Sequence, residues 1–358
     1  MSDRAIFFLF VVFMLLFLGF LSLFSITPTY SMDMFSDSYL LVKKQAISAI
    51  LGMLLMFIAA RFEPKFFHRI APYILVTTLL LTIITIILPS SGPKRWIKFG
   101  FFSFQPIELA KVAVVLYLAR YWSKEISLSS FSVFLKSFVF PGIFFLLFIK
   151  QPDFGGAVHI ILISIFLSFV GGAYLRWIIL SSLTLSPVFF IIMKMKPYRI
   201  KRLLVFTDPW KDRLGAGFQA VQSLLAFGSG GIFGVGLGRG TQKLLFLPSA
   251  HNDFILPCIA EETGFLGVIL ISMLFITFAV IGFGTSRRLD NTFDRNVCAG
   301  FTFVIVFQSL LNMFISVSLL PTKGLPLPFI SYGGSSLIAT LFMSGYILGA
   351  IERAKDFQ

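Results

Sequence analysis

Long apolar runs separated by short polar breaks dominate the chain. The first, AIFFLFVVFMLLFLGFLSLFSI from Ala5 to Ile26, holds no charge. Such a run is long enough as a helix to cross the roughly 30 Å hydrocarbon core of a bilayer. Nine further runs follow. The pattern predicts ten spans, at residues 5–27, 44–61, 71–89, 105–121, 136–150, 155–172, 176–193, 254–284, 296–319 and 336–352. A transmembrane barrel would instead show short segments of alternating polarity. The expected fold class is an all-α polytopic membrane protein, a single integral membrane domain over residues 1–358. The run at 254–284 exceeds what a span needs, so part of it is loop or tilted helix. The first run is too long for a cleaved signal peptide and reads as a retained anchor helix.

The longest break, residues 194–252, separates the seventh and eighth spans. A connection of this length is long for a compact protein and points to function. It still holds apolar stretches, AVQSLLAF and LLFLP, so it lies on the membrane surface or dips back into the protein.

Composition agrees with the membrane reading. Of the 358 residues, 57% are hydrophobic and 13% charged, about half the charged fraction of a soluble domain. The net charge of +14 does not indicate a nucleic-acid partner. Most Lys and Arg sit in short loops between spans, where membrane orientation already favours them. An even number of spans puts both termini on one side. Thirteen of the 30 basic residues lie on that side and 17 on the other, nine of them in the segment Lys194 to Lys243. Long loops carry little orientation signal, and without that segment the balance is 13 to 8 in favour of cytoplasmic termini. The 194–252 loop is then extracytoplasmic. Cys258 and Cys298 fall in apolar segments, and the three histidines are scattered, so neither a disulfide nor a His/Cys metal cluster is expected.

Several ionisable residues occur at membrane depth, where charge marks a functional site by default. Glu108 and Lys111, in FQPIELAKVAVV, are three apart and share a helix face. They form a buried ion pair, a charged cavity wall, or both. Asp153, in KQPDFGGAV, either caps the sixth span or faces its outer mouth. Arg95 and Trp96 precede Glu108 and serve as interfacial anchors or ligand contacts. In the long loop, Lys194, Lys196, Arg199, Lys201 and Arg202 form a basic run suited to anionic headgroups or a phosphate-bearing lipid. The stretch GSGGIFGVGLGRG matches neither a Walker loop nor a dinucleotide fingerprint, so its glycines serve tight turns and close helix approach.

Asp253, in FLPSAHNDFILPCIAEETGFLG, sits where the long loop enters the eighth span. It is either an N-cap or a carboxylate facing a cavity, able to take a proton or to hold a divalent cation. Glu261 and Glu262 lie about two helical turns deeper and make no close carboxylate pair with it. Lys323 stands among helix-breaking prolines in LLPTKGLPLPFISYGGSSL, where irregular backbone must line a cavity or be buried.

Taken together, RWI, FQPIELAK, QPDFGGA, DPWKDRLGAGFQAVQSLLAFGSGG, GLGRGTQKLLFLPSAHNDFI, AEETGFLG and LPTKGLPLPFISYGGSS resemble the SEDS family, which comprises FtsW, RodA and SpoVE. The motifs occur in family order over nearly the whole chain. GLGRGTQK and PTKG look more like the family's division branch than its elongation branch. Departures are Ile107 for a usual Ser, Gly156 for Thr or Ser, Ser249 and Asn252 for Glu and Thr, and Phe314 and Ser318 where small residues are common. Ser249 removes a carboxylate beside Asp253, which weakens a Mg or Mn site at that position. The resemblance implies a ten-span fold in the bacterial cytoplasmic membrane and glycosyltransferase activity on lipid II. It also implies an undecaprenyl-diphosphate-linked glycan as the other substrate. Its implied partners are a class B penicillin-binding protein and other divisome proteins. It makes Asp253 the catalytic residue, and Glu108 and Lys111 the cavity pair. Arg95, Lys111, Arg199, Arg202 and Lys323 are then candidate diphosphate contacts, with Asp153, Glu261 and Glu262 in cavity or structural roles, the two glutamates mainly in helix packing and cavity structure. A lipid II flippase and a non-catalytic divisome scaffold are the rival readings.

Overall fold

The computed structural model describes residues 1–87, 95–99, 102–124, 130–194, 206–244, 247–321 and 324–354. Apolar sequence at these lengths closes its backbone hydrogen bonds within each segment, and the chain is accordingly helical. The helices are α1 (Asp3–Phe35), α2 (Leu40–Arg61), α3 (Pro64–Ile87), α4 (Pro106–Trp122), α5 (Phe131–Ser137), α6 (Val139–Lys150), α7 (Phe154–Val170), α8 (Leu175–Lys194), α9 (Phe218–Gly230), α10 (Ile255–Arg287), α11 (Thr292–Ser316) and α12 (Gly334–Arg353). A two-stranded antiparallel hairpin, β1 (Ile97–Phe99) and β2 (Phe102–Phe104), pairs Ile97 with Phe104 just before α4.

Among the described residues six helices are long and apolar enough to cross a membrane: α1, α2, α3, α10, α11 and α12. The pair α5 and α6, bent by 42° at Phe138, makes a seventh if it is one span. Each of the ten predicted spans falls on a helix, but the limits differ. The first extends to Phe35 rather than residue 27, and the predicted 136–150 span is the bent pair. The eighth runs from Ile255 to Arg287 and is broken at Gly264, whose φ of 71° lies in the left-handed region that glycine tolerates without strain.

Burial follows sequence character. α4 is mostly apolar, apart from Glu108, Lys111 and Arg120, and is buried on nearly every face from Pro106 to Trp122, which identifies it as the central helix. α1 turns Phe7, Phe10, Phe17 and Phe24 outward, as a lipid-facing helix does. α2 and α12 approach closely because small residues face the partner. A Cβ on Gly345 would lie 2.1 Å from the Met56 carbonyl oxygen. Cys258 and Cys298 are free and buried in separate helices.

Candidate active site

Asp253 lies in the turn His251–Phe254 that leads into α10. Three successive carbonyls of this turn are held from outside it. Asn312 of α11 donates through Nδ2 to Asp253 O at 2.9 Å and to Leu325 O at 2.7 Å. Ser331 Oγ donates to Asn252 O at 2.5 Å, and Tyr332 N donates to His251 O at 2.9 Å. The segment after α11, residues 324–333, is thereby stitched to the turn. Asp253 is partly exposed, and its carboxylate occupies the space over Gly324, where a Cβ would come within 2.9 Å of Oδ2. It is not the helix cap: the cap position of α10 is Phe254, with no side-chain capping bond.

The ion pair expected on α4 is present. Lys111 Nζ lies 2.7 Å from Glu108 Oε2 and 2.7 Å from Gln308 Oε1. Gln308 Nε2 in turn donates to Pro326 O at 2.8 Å. Gln308 and Asn312 are four apart on α11 and so share one face. A continuous polar path therefore runs from α4 through α11 to the Asp253 turn. The Lys111 side chain is only 4% exposed, and its ammonium is already engaged twice. It ties α4 to α11.

Glu261 and Glu262 anchor the long loop. The Glu261 carboxylate accepts from Thr241 N at 2.9 Å, Thr241 Oγ1 at 2.8 Å and Gln242 N at 3.1 Å. Lys243 Nζ pairs with Glu262 Oε1 at 2.7 Å, and Ser25 of α1 donates to the same carboxylate. The break at Gly264 frees backbone groups of α10, and the glycine-rich segment satisfies them. Val235 N donates to Glu261 O, Gly236 N to Glu262 O, and Phe265 N to Gly231 O, at 2.9, 3.1 and 2.9 Å. Irregular backbone at membrane depth needs such partners. The fit leaves no room for side chains: a Cβ on Gly234, whose φ is 80°, would lie 2.2 Å from the Glu262 carbonyl oxygen. Gly234→Ala is expected to destabilise this junction by about 1–3 kcal/mol. Limited proteolysis of the purified protein would read it as faster cutting at Arg239 and Lys243.

The remaining candidates are placed as follows. The Arg95 guanidinium donates from Nε to Gln151 O at 3.1 Å and from Nη2 to Pro152 O. It fastens the hairpin to the turn before α7, while Gln151 Nε2 donates to Thr82 O at 3.1 Å. Asp153 caps α7, accepting from Gly156 N at 3.1 Å. Arg199, Arg202 and Lys323 lie outside the described residues. The His251 ring packs between Tyr30 and Tyr332, with centroids 4.5 and 5.9 Å away. Burial pushes its pKa down to about 4, so it is neutral near pH 7. No group of three or more His, Cys, Asp or Glu side chains converges among the described residues. Asp253 could give a cation one ligand, and among the described residues the side chains around it do not complete a set.

A cavity of 360 Å³ opens between α2, α3, α4, α12 and the hairpin. Its walls are mostly apolar, with Glu108 and Lys44 among the few charges. Tyr332 lines it and also bonds the His251 carbonyl, so the cavity and the Asp253 turn share a wall. Glu108 is thus both an ion-pair partner and a cavity residue.

The family model for FtsW/RodA/SpoVE, described as a cell cycle protein, matches residues 6–356. The chain belongs to the FtsW/RodA/SpoVE family. It is 38% identical over 344 residues to a "Probable peptidoglycan glycosyltransferase FtsW" of Geobacter metallireducens, covering 94% of this chain and 92% of that one. With the protein of the same description from Haemophilus influenzae it shares 36% over 355 residues, covering 97% and 89%. Its fold is similar to a chain in the solved structure "Structural coordination of polymerization and crosslinking by a peptidoglycan synthase complex", with a TM-score of 0.80, 29% identity and 98% of each chain covered. It is also similar to the rod shape determining protein RodA of Thermus thermophilus, with a TM-score of 0.69 and 26% identity over 98% and 97% of the two chains.

In this FtsW/RodA/SpoVE protein, sequence reasoning missed Gln308, Asn312, Ser331 and Lys243. Two of them had left a signal. VIVFQSLLNMFI places two amides at i and i+4 inside an otherwise apolar span, and polar groups there find partners across helices. Ser331 and Lys243 sit in loops, where nothing in the sequence names their partners.

Proposed function

We propose that this protein is a peptidoglycan glycosyltransferase that polymerises lipid II at the outer face of the bacterial cytoplasmic membrane, for septal wall synthesis. The single observation that carries the reading is the Asp253 turn. A partly exposed carboxylate is held through three main-chain carbonyls beside a mostly apolar cavity. The cavity suits an isoprenoid chain, and the carboxylate suits a proton. Asp253 accepts the proton of the GlcNAc 4-hydroxyl as that oxygen attacks the MurNAc anomeric carbon of the growing glycan. The bond to undecaprenyl diphosphate breaks, and the configuration inverts. Cations of the long loop and of the segment after α11, namely Arg199, Arg202 and Lys323, stabilise the departing diphosphate. Arg95 and Lys111 position the scaffold.

The membrane arrangement that goes with this chemistry has ten spans, with α4, the bent α5–α6 pair, α7 and α8 joining the six long helices. Both termini are cytoplasmic, and the 194–252 loop is outside. A class B penicillin-binding protein supplies transpeptidation within the divisome. The decisive experiment is reconstitution of the purified protein with lipid II in vesicles, with and without such a partner. Glycan polymer is the expected product. Transbilayer movement of lipid II without any polymer, partner present, would replace this reading with the flippase.

A further inference from the structure

The far end of the bundle holds another cavity, this one polar, unrelated to the Asp253 site. α4 carries Glu108 near its start and Arg120 near its end, twelve residues or roughly 18 Å apart along the helix. At the Arg120 end a pocket of 520 Å³ opens between the start of α3, the end of α4 and the turn into α11. Lys65, His68, Arg69, Arg120 and Asn291 supply its polar wall. The described lining residues include no carboxylate. Glu63 and Asp290, which adjoin lining residues in the chain, are exposed and do not line it. Among the described residues, no ion pair within 4.0 Å involves Lys65, Arg69 or Arg120. Arg120 donates one hydrogen bond, from Nη1 to His68 O at 2.9 Å, which ties α4 to α3 and aims the guanidinium at the pocket rim.

Two further features add positive potential. α3 begins at Pro64 and α11 at Thr292, so the N-terminal ends of two long helices meet this pocket. Three cations with no counter-ion among the described residues, around a cavity of this size, call for an anion. The level of the pocket says which kind. Phe62 and Phe66 are exposed and stacked at 4.2 Å, and Tyr73, which lines the pocket, is 69% exposed. An aromatic girdle beside basic side chains is the signature of the membrane–water interface. Basic pockets between helices at that level take lipid phosphates.

We propose that this pocket binds the phosphate of an anionic phospholipid, with Lys65, Arg69 and Arg120 as its contacts. The chemistry it reads is a phosphate ester, which a free phosphate could also present. The test therefore has two arms. The full-length protein, purified and delipidated, is titrated with dioleoylphosphatidylglycerol, with dioleoylphosphatidylcholine and with inorganic phosphate, and native mass spectrometry counts the adducts. Phosphatidylglycerol is expected to bind preferentially, and Lys65→Gln/Arg69→Gln to weaken it roughly fivefold for each charge removed. The charge-keeping pair Lys65→Arg/Arg69→Lys should retain the selectivity. Both positions are exposed, and an unchanged melting temperature confirms that the variants fold. Equal binding of phosphatidylcholine, or undiminished selectivity in the Gln pair, overturns the proposal. Displacement of the lipid by millimolar inorganic phosphate also overturns it, since the pocket then serves a soluble anion.

Discussion

Asp253→Asn is expected to abolish glycan polymerisation by the reconstituted protein while leaving its thermal stability near wild type. The argument is geometric. The turn is held through the carbonyls of His251, Asn252 and Asp253, by Tyr332, Ser331 and Asn312. None of those bonds uses the Asp253 carboxylate, so an amide of the same shape leaves them intact. What the amide lacks is basicity. Loss of a positioned general base lowers the rate by roughly 10²–10⁴-fold, which takes polymer below detection in a gel assay with fluorescent lipid II. The neutral His251 beside it offers no replacement of matching position, because its main chain is pinned and its ring packs between two tyrosines. Polymer yield from Asp253→Asn within tenfold of wild type would remove Asp253 from the chemistry. Loss of polymer together with a lowered melting temperature would make it structural.

Lys111→Met carries the largest expected effect on stability. It leaves the Glu108 carboxylate without its cation at a site where that side chain is 6% exposed. Stranding one member of a buried pair costs about 3–5 kcal/mol. The same change removes the donor to Gln308, whose other end holds Pro326 in the segment that meets the Asp253 turn. The double variant Glu108→Gln/Lys111→Met removes both charges and should recover most of the loss, since a neutral pair needs no compensation. Thermal unfolding in detergent separates the cases. A single variant as stable as wild type would show that the pair holds nothing. A double variant that is stable yet inactive would assign Glu108 to the substrate cavity, where it is also found.

How much of this was legible beforehand depends on the kind of interaction. Apolar runs of membrane length have few folds open to them, so the helices and their order could be read directly. Glu108 and Lys111 could be paired because helix geometry puts residues three apart on one face. The kink in α10 could not. Gly264 reads as an ordinary helix glycine until the glycine-rich loop, about 30 residues earlier in the chain, lies against it and takes over its hydrogen bonds. Likewise the sequence assigns Glu261 and Glu262 to packing and cavity structure without naming their partners, which are Thr241, Gln242 and Lys243. Asp153 admitted two readings, and a single backbone contact at 3.1 Å decides for the cap.

The sequence by itself determined that this is a mostly helical membrane protein of the FtsW/RodA/SpoVE family, and it singled out a carboxylate at the mouth of α10. Hydrophobic length and local spacing are properties of neighbouring residues, so the chain displays them unfolded. Only the tertiary structure decided what fixes that carboxylate in place. Asn312, Ser331 and Tyr332 stand between 59 and 81 positions further along the chain. Contacts over such separations depend on how the helices pack, and no local pattern encodes them.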